Sequence, residues 1–256
     1  MRGAWLVTES PPNEFCLPQE VFKLGLGHGP LLVYLYLIYR KSLKHGADKM
    51  SCAVIGKAVG LCAKTVHTHL RMLADAGFIK VKKHGQTFFY MLNPIETHVR
   101  EQSYAALRNR WISSKRLWLT GEVFSAVFPV PNEVFQLGLK PGDLLVYIYL
   151  HYQKGVRSGQ CWPSYATIGT AVGMSRKAVQ KHIGSLINKG LIQAEETMIC
   201  RKDGCRYNGS LLYTVKPIEQ ILKEHEKESL AQLKLAEAQR KWERRCQKRG
   251  RPRSAL

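Results

Sequence analysis

The chain has 256 residues, 45% of them hydrophobic and 23% charged, which is the balance of about two ordinary globular domains rather than of a disordered chain. Its 39 Lys and Arg against 19 Asp and Glu give a formal charge of +20, and such self-repulsion calls for a polyanionic partner: nucleic acid, an anionic membrane surface or an acidic protein. The longest apolar run, Leu31 to Tyr39, is far below the roughly 18–20 residues that span a bilayer, which excludes a membrane-spanning helix.

The N-terminus shows no apolar core with a cleavage site. Seven cysteines, an odd number, do not make the paired framework of a small secreted scaffold. A cytoplasmic location with no membrane partner is expected.

An internal repeat organises everything else. An offset of 113 residues lays Phe15 to Lys80 on Phe128 to Gln193 without a gap, and about half of these positions are identical. EVFKLGLGHGPLLVYLYLIY from Glu20 faces EVFQLGLKPGDLLVYIYLHY from Glu133, and IGKAVG from Ile55 faces IGTAVG from Ile168. Trp5-Leu6 falls on Trp118-Leu119 at the same offset, so the repeated unit begins near the N-terminus. Farther on, YMLNPIE ending at Glu96 meets YTVKPIE ending at Glu219 only at an offset of 123. The second copy therefore carries about ten extra residues between Gln193 and Tyr213, where Asp203-Gly204 and Asn208-Gly209 mark a surface hairpin.

In chain order, the first copy predicts a helix from Ser51 to Val59, a turn at Gly60, a helix from Cys62 to Ala76 stopped by Gly77, and strands near Phe78 to Lys82 and Thr87 to Leu92. The second copy predicts a helix from Asp143 to Lys154, whose acidic start suits a helix N-terminus. A short helix capped by Ser164 and ended by Gly173 follows. The next helix has Ser175 as its N-cap, an apolar stripe of Val179, Ile183 and Leu186, and Gly190 as its stop. Leu191-Ile192 and Leu211 to Val215 supply strands around the hairpin. Beyond Pro217 the composition predicts one long helix through Trp242.

A short helix, a tight Gly-containing turn and a longer helix make the helix-turn-helix pattern, and a strand pair after it makes a wing. The stretch CWPSYATIGTAVGMSRKAVQKHIGSLINKGLI, Cys161 to Ile192, resembles the winged helix-turn-helix modules of bacterial plasmid replication initiators and of regulators on mobile genetic elements. The expected fold is mainly α with small β-wings: two tandem winged helix-turn-helix domains (1–96 and 118–216), a helical linker (97–117), and a basic C-terminal helix and tail (217–256). The first copy departs from the pattern, with Cys62 where Ser175 stands and Ala63 where Arg176 stands, which predicts a weaker grip on DNA.

In such a motif the second helix enters the major groove with its N-terminal residues against base edges. With Val179, Ile183 and Leu186 inward, the helical period leaves Arg176, Lys177, Gln180 and Lys181 outward, beside Ser175. Arg and Lys donate to guanine O6 and N7, and Gln pairs with adenine. The bland alternative is a solvated basic face. The first copy offers Lys64, His67, Thr68 and Arg71. Its wing is basic at Lys80, Lys82, Lys83 and His84, and the second wing at Arg201, Lys202 and Arg206. These are phosphate contacts or an ordinary charged hairpin tip.

The C-terminal helix has an irregular apolar stripe, Ile218, Ile221, Leu222, Leu230 and Leu233, and either forms a homodimer or lies in solvent. The chain ends in Lys248-Arg249-Gly250-Arg251-Pro252-Arg253, similar to the core of an AT-hook that lays arginines in an A·T minor groove. A nonspecific phosphate-binding arm through Arg249 and Arg251 is the simpler reading.

No catalytic constellation stands out. His67 and His69 lie two apart in a predicted helix and diverge, and His69 aligns with His182, as a structural histidine would. Cys200 and Cys205 flank a turn without the second pair that structural zinc needs, so packing across the hairpin is expected. There is no phosphate-binding glycine loop of the GxxxxGK(S/T) type and no GxSxG elbow. No enzyme activity, cofactor or metal is expected.

The leading function is sequence-specific binding of double-stranded DNA, as a transcription regulator or a plasmid or mobile-element replication initiator. The alternative is a scaffold that docks a replication or transcription protein and binds nucleic acid nonspecifically; RNA binding lacks an exposed aromatic platform. Because the exposed residues of the two copies differ, an asymmetric or direct-repeat site is expected, with half-sites about one helical turn apart.

Overall fold

The computed structural model describes residues 13–43, 50–84, 87–93, 127–155, 158–200 and 206–249. The expected linker 97–117 and the Trp5-Leu6 and Trp118-Leu119 pairs lie outside these residues. Met1–Val215 and Lys216–Leu256 form two compact units. The described residues are mainly helical, with small antiparallel sheets.

In the first unit the first copy contributes β1 (Glu14–Pro18), a 3-10 turn (Gln19–Lys23), α1 (His28–Ser42), α2 (Cys52–Val59), α3 (Ala63–Asp75), β2 (Ile79–His84) and β3 (Thr87–Leu92). The second contributes β4 (Val127–Pro131), a 3-10 turn (Asn132–Gln136), α4 (Pro141–Gln153), β5 (Gln160–Cys161), α5 (Tyr165–Val172), α6 (Arg176–Asn188), β6 (Ile192–Glu195), β7 (Met198–Cys200), β8 (Arg206–Asn208) and β9 (Leu212–Val215). β1, β4, β5 and the two 3-10 turns have no counterpart in the expectations above. They are too short to show a period, and the partner that pairs β1 lies about a hundred residues away.

α1 and α4 are the cores of their copies. Leu31 through Leu37 and Leu144 through Leu150 are buried without interruption, and a helix buried on all sides shows no amphipathic stripe. α3 and α6 pack on them with one face each: Val66, Leu70 and Leu73 in α3, Val179, Ile183 and Leu186 in α6. The approach is close, since a Cβ added at Gly29 would run into the His69 ring and one added at Gly142 into the His182 ring.

β2 and β3 form an antiparallel hairpin in register Ile79↔Leu92 to His84↔Thr87. In the second copy β5, β9 and β6 form a three-stranded sheet with β9 in the middle, and β7 and β8, within the inserted stretch, pair separately, Met198↔Asn208 to Cys200↔Arg206.

The second unit carries α7 (Ile218–Arg249), longer than the predicted helix that stopped near Trp242. Lys216 pairs with Glu224 at 3.7 Å, and Gln220 Nε2 donates to Glu224 Oε1 at 2.9 Å. Leu230, Leu233, Leu235 and Trp242 are exposed along it. No helix among the described residues is long and apolar enough to cross a membrane.

Candidate nucleic-acid interface

α5 and α6 meet through a turn whose geometry the sequence specifies locally. Ser164 Oγ accepts from Thr167 N at 3.1 Å to cap α5, and Gly173 ends that helix in the left-handed region at φ 66°. Ser175 Oγ then accepts from Ala178 N at 3.3 Å and starts α6. These caps satisfy amide groups that the helix cannot. Arg176, Lys177, Gln180 and Lys181 are all exposed, opposite the buried Val179, Ile183 and Leu186. Three cations and an amide therefore occupy the first turn and a half of α6, facing outward.

α3 is the same element with less charge. Ser51 Oγ caps α2 through Val54 N at 3.3 Å, and Gly60 ends it at φ 72°. Cys62 makes no side-chain cap bond to the helix that follows. Its Sγ lies 3.0 Å from Thr65 Oγ1. That hydroxyl is the first cause holding the Cys62 thiol below the ordinary cysteine range. Lys64, His67, Thr68 and Arg71 are exposed. Thr68 Oγ1 donates to Lys64 O at 3.1 Å, so its proton is used within the helix, and Arg71 faces Asp75 at 3.9 Å.

Lys82 and Lys83 are exposed on β2. Lys202 and Arg251 lie outside the described residues, and so do Cys205, Arg201 and the glycine of the Arg-Gly-Arg stretch. Arg249 ends α7. Among the described residues no group of three or more His, Cys, Asp or Glu is placed to hold a metal ion.

A buried contact not expected from the sequence holds α6 against α4. Asp143, in the first turn of α4, is 1% exposed and accepts three hydrogen bonds from α6 and its C-cap: His182 Nδ1 at 2.8 Å, Ser185 Oγ at 2.7 Å and, from the C-cap, Lys189 Nζ at 2.8 Å. Burial pushes this carboxyl up, and the bonds from Lys189, Ser185 and His182 outweigh that and hold it below the usual carboxylate range. The three donors, at 182, 185 and 189, lie on one helical face, and that spacing, with one acid at a helix start, was the available signal. In the first copy the four positions are Pro30, His69, Met72 and Ala76. There His69 Nδ1 is buried with no hydrogen-bond partner among the described residues. Burial, and secondarily His28, hold its pKa below the ordinary imidazole range.

Residues 137–192, spanning α4, α5 and α6, match the family model described as a helix-turn-helix domain. No curated protein matches the chain at a significant level. Among solved structures, one described as "Possible transcriptional regulator from Methanosarcina mazei Go1" is similar to this chain at 19% identity and a TM-score of 0.31, over 48% of this chain and 95% of that one. The chain carries a helix-turn-helix domain over residues 137–192.

Proposed function

We propose that the chain is a non-enzymatic, sequence-specific binder of double-stranded DNA, built from two tandem winged helix-turn-helix modules, with α6 as the stronger reading helix and α3 as the weaker. The observation that carries this is the outward face of α6, Arg176, Lys177, Gln180 and Lys181, opposite a fully buried stripe within the segment similar to helix-turn-helix domains. Guanidinium, ammonium and amide groups at a helix N-terminus are the donors that major-groove edges of guanine and adenine accept. The net charge of +20 supplies phosphate attraction, with Lys82 and Lys83 on the hairpin of the first copy as contacts that position without specifying. The biological role that fits is control of transcription, or occupancy of a plasmid or mobile-element origin.

The experiment is selection from a random duplex pool at two salt concentrations, with the unmodified chain and with Arg176→Ala plus Lys181→Ala. A motif that the double variant loses, with binding that weakens steeply with salt, is the expected result. Salt-sensitive binding without a motif, unchanged in the double variant, would instead make the chain a nonspecific coater or a docking scaffold.

A further inference from the structure

The strand, aromatic and turn contacts between the two copies recur in pairs, with the roles of the copies exchanged. β1 pairs with β4 in antiparallel register: Phe15 faces Val130, Cys16 faces Pro129 and Leu17 faces Phe128. In the repeat Phe15 corresponds to Phe128, Cys16 to Pro129 and Leu17 to Val130. The ladder thus maps onto itself when the copies are interchanged, about an axis through the Cys16–Pro129 pair.

The aromatic contacts obey the same exchange. Phe22 of the first copy inserts among Phe128, Tyr149 and Tyr152 of the second, at ring separations of 6.1, 5.0 and 5.2 Å. Its counterpart Phe135 inserts among Phe15, Tyr36 and Tyr39 of the first, at 6.0, 5.1 and 4.8 Å. The helix-turn-helix turns do likewise. A Cβ at Gly60 would meet Pro141 Cδ at 3.1 Å and Leu139 O at 3.4 Å, and one at the equivalent Gly173 would meet Leu26 O at 2.9 Å and Gly27 Cα at 3.0 Å. Each turn therefore sits on the opening residues of the other copy's central helix, the end that also packs against that copy's reading helix through Gly29–His69 or Gly142–His182.

Reciprocal contacts of this kind define a two-fold, isologous interface; a head-to-tail arrangement would use two different patches and have no mirror contact. A duplex shows a two-fold protein two half-sites that run in opposite directions. Resting on the DNA-binding reading above, we infer that one chain acts as its own dimer and reads two inverted, unlike half-sites on one duplex, α6 one and α3 the other. The difference between the halves comes from Arg176, Gln180 and Lys181 standing where Ala63, His67 and Thr68 stand, while the inversion comes from the interface. A direct repeat, the natural expectation for a tandem chain, is disfavoured by this geometry.

The test makes the two faces alike. Ala63→Arg, His67→Gln, Thr68→Lys and Arg71→Ala give α3 the outward face of α6, since Lys64 already matches Lys177; all four positions are exposed. The reciprocal variant, Arg176→Ala, Gln180→His and Lys181→Thr, guards against misfolding of the first, and melting curves check both. Each variant and the unmodified full chain select from a random duplex pool, and the number of chains per duplex is measured by native mass spectrometry. The expected outcome is two unlike half-motifs on opposite strands for the unmodified chain. The converted chains should select a true inverted repeat at one chain per duplex, bound ~10-fold or more tighter than the same halves in direct orientation. A direct repeat from the converted chains, or a single half-motif, overturns the inference and leaves DNA binding intact. No motif from the unmodified chain overturns the DNA-binding reading itself.

Discussion

His182 Nδ1 donates to Asp143 Oδ1 at 2.8 Å and so joins the middle of α6 to the first turn of α4. Ser185 and Lys189 complete the set on the other carboxylate oxygen, and the buried Asp143 is compensated by three donors rather than one. Removing one partner of such a group leaves the others buried or unsatisfied. Asp143→Ala is expected to destabilise the first unit by about 2–4 kcal/mol in urea unfolding, and to weaken DNA binding further by loosening α6. The carboxyl is held below its ordinary pKa, so its contribution is present above the ordinary carboxylate range and is lost as pH falls through the lowered value. Pro30→Ala at the equivalent position of the first copy tests the contrast, because there is no network there to break; an equal loss of stability would contradict the role given to Asp143.

His151 predicts a separate acid sensitivity. Burial first, and the neighbouring Lys154 second, push its pKa down to about 3, while its Nε2 lies 2.9 Å from Lys154 Nζ. The folded state refuses a proton that the unfolded state takes near pH 6.5. Stability is therefore full above that pH and erodes below it, by up to about 1.4 kcal/mol per pH unit. The first copy has Ile38 at this position. His151→Ile should flatten the pH dependence of the unfolding free energy between about 6.5 and 4; an unchanged slope would mean that the imidazole is already protonated in the fold.

The helices α3 and α6 differ in their caps. Ser175→Ala removes the acceptor for Ala178 N and is expected to cost about 1 kcal/mol. Cys62→Ser should move the other way, raising the melting temperature, because it installs at α3 the cap that α6 already has. Thermal melts of the two variants should shift in opposite directions; a Cys62→Ser variant that melts lower would show that the Sγ–Thr65 contact outweighs a cap.

Side chains that read bases and side chains that only hold phosphate respond differently. On the selected site, Arg176→Ala should cost roughly 1–3 kcal/mol of binding and relax preference at one or two base positions. Lys82→Ala plus Lys83→Ala should weaken all sequences alike and lower the salt slope by about 1 for each lysine. Titrations of matched and mismatched duplexes at several salt concentrations distinguish the two. Loss of base preference in the lysine pair would make the first hairpin a reader.

The sequence by itself determined the helices, the turns and the outward faces, because caps such as Ser164 and Ser175, stops such as Gly60 and Gly173, and stripes such as Val179, Ile183 and Leu186 act within a few residues of chain. The 113-residue offset likewise declared two copies, but an offset is blind to direction: copies related by translation and by rotation read identically along the chain. The tertiary structure decided that question through β1 against β4 and Phe22 against Tyr149 and Tyr152, pairs more than a hundred residues apart whose short strands and isolated aromatics carry no local period. It also decided the seat of α6, since Asp143 resembles an ordinary acidic residue at a helix start until the fold brings His182, Ser185 and Lys189 to it. Local hydrogen bonding and periodicity are written in neighbouring residues, whereas burial and pairing between distant ones are properties of the folded chain alone.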